Sequence, residues 1–267
     1  MRLAIVVRTG ALAGAGLIAA ASAQQVPSAS TSPAGSGGAN NPALVAKVAD
    51  GPAPRLQDGT PDLSGVWVGG GPVGDIKEGL APGEQIVMKP EAEALMKKRM
   101  AAEDPEARCL PTGVPRVAPY PWRIVQTPAY GKATHLFFLF EGNIHSYRQI
   151  FMDGRAHPDD LEPTWYGHSV GHWEGDTLVI ETVGFNDKFW FDFQGHPHTT
   201  ELRTVERYTR TSMGKLENVT TIYDPGAYTK PFTLKYTATS RPGWELMEYI
   251  CNENNQDVEH IRGKAGL

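Results

Sequence analysis

From residue 122 onward apolar and polar side chains alternate with period two, the spacing of strands that bury one face. The runs with this pattern are 122–128, 134–141 "THLFFLFE", 144–152, 176–184 "DTLVIETVG", 200–209 "TELRTVERYT", 215–223 "KLENVTTIY", 230–239 "KPFTLKYTAT" and 244–251 "WELMEYIC". Turn signals separate them, among them Asp153-Gly154, Glu174-Gly175-Asp176 and Pro242-Gly243. An earlier short strand lies in "PDLSGVWVGG" at 61–70. One helix is expected over about 90–103, where Pro90 suits the first turn and acids precede bases in "EAEALMKKRMAAE". The proline-rich "CLPTGVPRVAPYPW" after it reads as a long loop at a surface or pocket edge. Roughly nine strands and no βαβ rhythm predict a mostly β protein, an antiparallel barrel or a strongly curved sheet with one short helix.

The N-terminus follows other rules. Arg2 and Arg8 precede the uncharged "GALAGAGLIAAASA", which ends in Ala21-Ser22-Ala23, so residues 1–23 read as a secretory signal peptide. Residues 24–54 are rich in Ser, Ala, Gly and Pro and lack aromatics, the composition of a flexible linker. The single domain expected is 55–267. Without Arg2 and Arg8 the formal charge falls from −5 to −7 and no basic block exists, so nucleic acid is not an expected partner. No later stretch has membrane-spanning length. The address implied is periplasmic or secreted. In that oxidising setting the two cysteines, Cys109 and Cys251, are expected to form a disulfide. Glu248 and Glu253 beside Cys251 raise a thiol's pKa and argue against a catalytic thiol there.

Candidate chemistry concentrates between 144 and 208. Alternation in 144–152 puts His145, Tyr147, Gln149 and Phe151 on one face, a polar-aromatic set suited to a ligand-lined lumen. Arg148 falls on the other face, so Arg155 or Arg203 is the expected lumen cation. Glu181 stands on an otherwise apolar strand, either as a solvent-facing residue or as an acid of raised pKa. "EPTWYGHSVGHWEGD" adds His168 beside Trp165 and Trp173, and "FNDKFWFDFQGHPHTTELRTVERY" adds Trp190, His196 and His198. Six of the eight histidines fall between 145 and 198, which points to acid–base work. The expected catalytic set is His145, Tyr147, His196 and His198 around one cavity. Substrate contacts are expected from Arg155, Arg203, Glu181, His168, Trp165, Trp173 and Trp190. His196 and His198 also permit a metal-ligand reading. No Gly-x-Ser-x-Gly elbow, phosphate loop, dinucleotide fingerprint or zincin helix occurs.

Gly65-Val66-Trp67 resembles the Gly-x-Trp of the first strand in lipocalin-like (calycin) barrels. The blocks "EARCLPTGVPR", "PYPWRIVQT", "GHSVG", "WEGDTLVIETVGFND" and "PGWELMEYICNEN" resemble a large family of secreted bacterial proteins, itself similar to decarboxylases of lignin-derived phenylcoumaran dimers. That resemblance implies a lyase that needs no cofactor and acts on a small aromatic acid, with an arginine on the carboxylate and a histidine or tyrosine as acid. Two other readings stay open: a non-catalytic periplasmic carrier of a lipophilic or aromatic ligand, and a metal-dependent enzyme using His196 and His198.

Overall fold

The computed structural model describes residues 51–72, 74–116, 120–129, 132–142, 146–251 and 253. The expected signal peptide, linker residues 24–50 and His145 lie outside them. Gly51 and Pro54, at the end of the expected linker, are already fastened to the domain. Their carbonyls accept from Met213 N at 2.9 Å and from Asp62 N at 2.9 Å.

Nine strands close into a barrel in sequence order: β1 Gly65–Gly69, β2 Trp122–Ala129, β3 Lys132–Phe140, β4 Ser146–Phe151, β5 His168–Glu174, β6 Thr177–Val183, β7 Arg203–Ser212, β8 Lys215–Tyr223 and β9 Phe232–Ser240. Among the described residues the one α-helix, α1, spans Pro90–Lys98, with Pro90 at its start and the acids in its first turn. It stops short of the expected 103; a separate 3-10 turn occupies Ala101–Glu103. Among the described residues no helix is long and apolar enough to cross a membrane.

Strand direction can alternate around a closed ring only if the number of strands is even. Nine strands therefore require a parallel ladder, and it falls between β4 and β5. The other ladders are antiparallel. Parallel neighbours need a long crossover, and residues 152–167 supply it. The pairing is short, with only Ile150↔Ser169 and Phe151↔Val170 in register, so the N-terminal half of β4 has no partner on that side.

Two corrections concern strands. "HSVGHWE" forms β5, a segment that is not among the expected strands. A Cβ at Gly171 would stand 2.7 Å from Met152 Sδ and 2.8 Å from Ile150 Cγ2, so glycine is what lets β4 lie close. Residues 244–251 form no strand. The β1–β9 ladder has already closed the barrel, which leaves β9 no edge for a following strand. This extended segment is held instead by the Cys109–Cys251 disulfide, with S–S 2.02 Å and Cα–Cα 5.6 Å, and by Met247 N donating to Glu141 Oε2 at 2.9 Å.

Alternation fills the interior. In β8, Leu216, Asn218, Thr220 and Ile222 are buried while their neighbours are only partly so. Trp67 is fully buried, donates from Nε1 to Leu63 O at 3.0 Å, and lies under the Arg210 guanidinium at 4.9 Å. Around it pack Trp122, Leu136, Phe138, Ile150 and Leu178. A second apolar cluster forms where the 184–202 segment packs against the barrel, with Phe185, Phe189 and Phe191 meeting Ile222, Phe232 and Leu234.

Candidate functional site

The splayed β4/β5 junction opens a cleft of about 500 Å³, walled by Tyr147, Phe151, Trp165 and Tyr166, with Arg148 and Ser169 within it. Its far wall is the strip 164–168, which lies against the end of β6 through Thr164 N to Gly184 O at 2.9 Å and Asn186 N to Thr164 O at 2.7 Å. Gly167 makes this approach possible. Its φ of +64° is left-handed, and a Cβ there would meet Val183 O at 2.5 Å.

Arg148 is the cation of the site, contrary to the expectation that it lies on the wrong face. Burial alternates as Ser146, Arg148 and Ile150 inward, leaving Tyr147 62 % exposed on the outer face. A buried guanidinium is tolerable only when paired and hydrogen-bonded. Here Nε donates to Ser169 Oγ at 2.9 Å, while Nη2 donates to Thr182 Oγ1 at 2.5 Å and to the Glu206 carboxylate. Nη1 has no hydrogen-bond partner among the described residues. Glu206 also accepts from Tyr208 Oη at 2.9 Å, and Asn218 Nδ2 donates to that same hydroxyl at 3.2 Å. Burial, reinforced by the Glu206 charge, pushes the Tyr208 phenol well above its ordinary pKa, so it stays protonated and donates. Arg148 reaches both spaces: besides the cleft it borders a small void inside the barrel, shared with Glu206, Tyr208 and Asn218 and walled by Trp122 and Phe138. That void, about 10 Å³, has room for about one water and for no larger ligand.

Tyr166 holds a second proton in the cleft. Burial pushes its phenol up to about 12, against the opposing effects of the Ser146 hydrogen bond and the Arg148 charge. Its hydroxyl lies 2.7 Å from Ser146 Oγ. At the rim, His168 stacks on Phe151 with centroids 5.0 Å apart, and its Nδ1 is 2.8 Å from Nδ1 of His157. Burial lowers the pKa of both imidazoles; the Glu181 charge opposes this at His157, and His157 and Arg155 add to it at His168.

Of the expected set, Tyr147, Trp165 and His168 meet at this cleft. The expected convergence of Tyr147 with His196 and His198 does not occur. Both histidines are buried in the 184–202 segment. His196 Nδ1 lies 2.6 Å from Asp192 Oδ2, which also accepts Ile76 N at 2.7 Å. Burial alone would raise the Asp192 pKa, but the His196 and backbone hydrogen bonds outweigh it and the carboxyl ends lowered. His198 stacks on Phe189 at 3.8 Å, and burial drives its pKa down to about 4. Nor do the two pair as ligands. A group of three described side chains whose donor atoms lie within 4.8 Å of one another joins His196 with Asp75 and Asp192.

The expected lumen cations are also corrected. Arg155 is exposed and paired with Asp153. Arg203 lies over the Tyr223 ring at 3.9 Å and 3.4 Å from Glu181, on the outer face of β6 and β7. There it borders a separate groove of about 510 Å³ with Asp224 and Lys230. A charge on an exposed face needs no partner from the core, which is why both stayed outside. Trp190 is buried under Arg99, whose guanidinium stands 4.8 Å from its ring, and Trp173 packs on the barrel core; neither lines the cleft. Sequence reading missed Tyr166, Glu206 and Tyr208. The signal was present in "TVERY", where Thr204, Glu206 and Tyr208 share one face of a strand that also had to bury something.

Protein-family models, curated proteins and solved structures were all compared with the chain, and none of them matches it.

Proposed function

We propose that the β4/β5 cleft binds a small aromatic carboxylic acid and that the protein acts on it, in the periplasm, as a lyase that releases carbon dioxide without a cofactor. The observation that carries this reading is Arg148, a buried guanidinium within an aromatic-walled cleft of about 500 Å³. A planar guanidinium suits a carboxylate, and locking by Ser169, Thr182 and Glu206 lowers the cost of orienting it. Trp165 and Phe151 give a flat ring its walls.

For a phenylcoumaran-type acid the step balances without redox chemistry. The C–C bond to the carboxylate breaks and releases carbon dioxide, and its electron pair forms the new alkene as the ring C–O bond breaks and its pair leaves on the phenoxide. The departing phenoxide takes one proton. Tyr166, protonated up to about pH 12, offers that oxygen a hydrogen bond, and His168 at the open rim passes it a proton from water. A carrier holding a lipophilic ligand beside Glu206 and Tyr208 inside the barrel fits less well, because the void there is only about 10 Å³.

The test is incubation of the purified protein with a panel of lignin-derived aromatic acids, read by mass spectrometry. The reading expects one or more acids to lose the mass of carbon dioxide, at a rate reduced roughly 10²-fold or more in Tyr166→Phe. Binding without mass loss across the panel would favour a carrier that uses the cleft.

A further inference from the structure

At the cleft rim, His157 and His168 present Nδ1 atoms to one another at 2.8 Å, with ring centroids 5.0 Å apart and planes at 73°. Two neutral imidazoles at this distance share one proton. The separation is also close to the roughly 2.9–3.4 Å between imidazole nitrogens bound to one tetrahedral or square-planar ion, given metal–nitrogen bonds of about 2.0–2.1 Å. The two rings come from different elements, His157 from the 152–167 crossover and His168 from the first position of β5. Their meeting is thus set by the fold and not by sequence proximity.

A third donor stands on the next strand. His168 pairs with Val183 and Val170 with Glu181, which makes His168 and Glu181 diagonal neighbours on the outward face. The charge of Glu181 is felt at His157. Its side chain is 43 % exposed and pairs with Arg203 at 3.4 Å, so it reaches the two histidines by a side-chain turn that gives up that ion pair. Arg155, whose charge acts on His168, is paired with Asp153 and lies over Phe151 at 4.0 Å.

We propose that His157 and His168, with Glu181 as third donor, form a site for a divalent transition cation of the imidazole-preferring kind, such as Zn²⁺. This does not rest on the aromatic-acid reading, although the two share His168: no step of that reaction uses the ion, and His168 loaded with zinc would not pass the proton. The site is distinct from the buried Asp75–Asp192–His196 group, where a backbone N–H already occupies the shared carboxylate oxygen.

Calorimetric titration of the chelator-washed, full-length protein with ZnCl₂ at pH 7.5 tests it. One site of roughly micromolar Kd is expected, weakened about tenfold or more by His157→Gln and by His168→Gln, and less by Glu181→Gln. Zinc should raise the melting temperature of the parent protein and not that of the double histidine variant. Should His168→Gln fail to fold, His157→Gln decides alone, because His157 lies on the crossover outside the barrel. Absence of zinc binding, binding that survives both histidine substitutions, or binding lost instead in Asp192→Asn or His172→Gln overturns the proposal.

Discussion

His198 lies against Phe189 and Phe191, with ring centroids 3.8 and 5.2 Å away, in a setting that keeps it neutral. Burial brings its pKa down to about 4, whereas an unfolded chain titrates near 6.5. Between those values the unfolded state binds the extra proton. The stability that neutral His198 confers is therefore complete above pH ~6.5 and is lost as pH falls toward ~4, by about 3 kcal/mol in all. Denaturant melts at pH 7.5 and pH 4 should show His198→Phe losing about that much less than the parent; equal losses would contradict this account. Arg148 shows a different residue-scale rule. A buried charge is set by its partner, and the partner, Glu206, lies 58 residues away in the chain. Reading 144–152 alone could not reveal that pairing, so the polar-aromatic face looked like the lumen. In the folded protein that face points outward, and it lines the cleft from outside.

Among the elements, the proline-rich segment and the chain end are joined by the Cys109–Cys251 bridge across 142 residues. Constraining so long a loop in the unfolded state is worth about 2–5 kcal/mol. Cys251→Ser should lower stability by that amount in denaturant unfolding with an unchanged native fold, and a loss under about 0.5 kcal/mol would mean the bridge closes no costly loop. The strands that alternate cleanly, such as 215–223, were legible residue by residue, because one buried face imposes period two. β5 was not, since its Gly171 serves close approach to β4, a tertiary need with no local signature. The segment 244–251 carries strand-like residues but meets a barrel already closed. Its exposed Met247, Tyr249 and Ile250 follow from that.

For the whole molecule, eight of the nine barrel strands follow from periodic segments, and the cleft follows from the strand number. An odd ring must contain a parallel pair; that pair needs a crossover, and the crossover parts β4 from β5 where Arg148 lies. Nothing in local sequence tells which ladder will be the parallel one. The histidine clustering between 145 and 198 joined residues that the fold separates, His168 to the rim and His198 to the packed loop. The central claim is where the aromatic acid binds. It is tested most directly by a crystal structure of the protein with its best-bound acid from the panel. The account predicts a carboxylate within hydrogen-bond distance of Arg148 and a ring against Trp165 in the β4/β5 cleft. An acid seated instead in the Arg203–Tyr223–Lys230 groove, with the cleft holding only water, would contradict it.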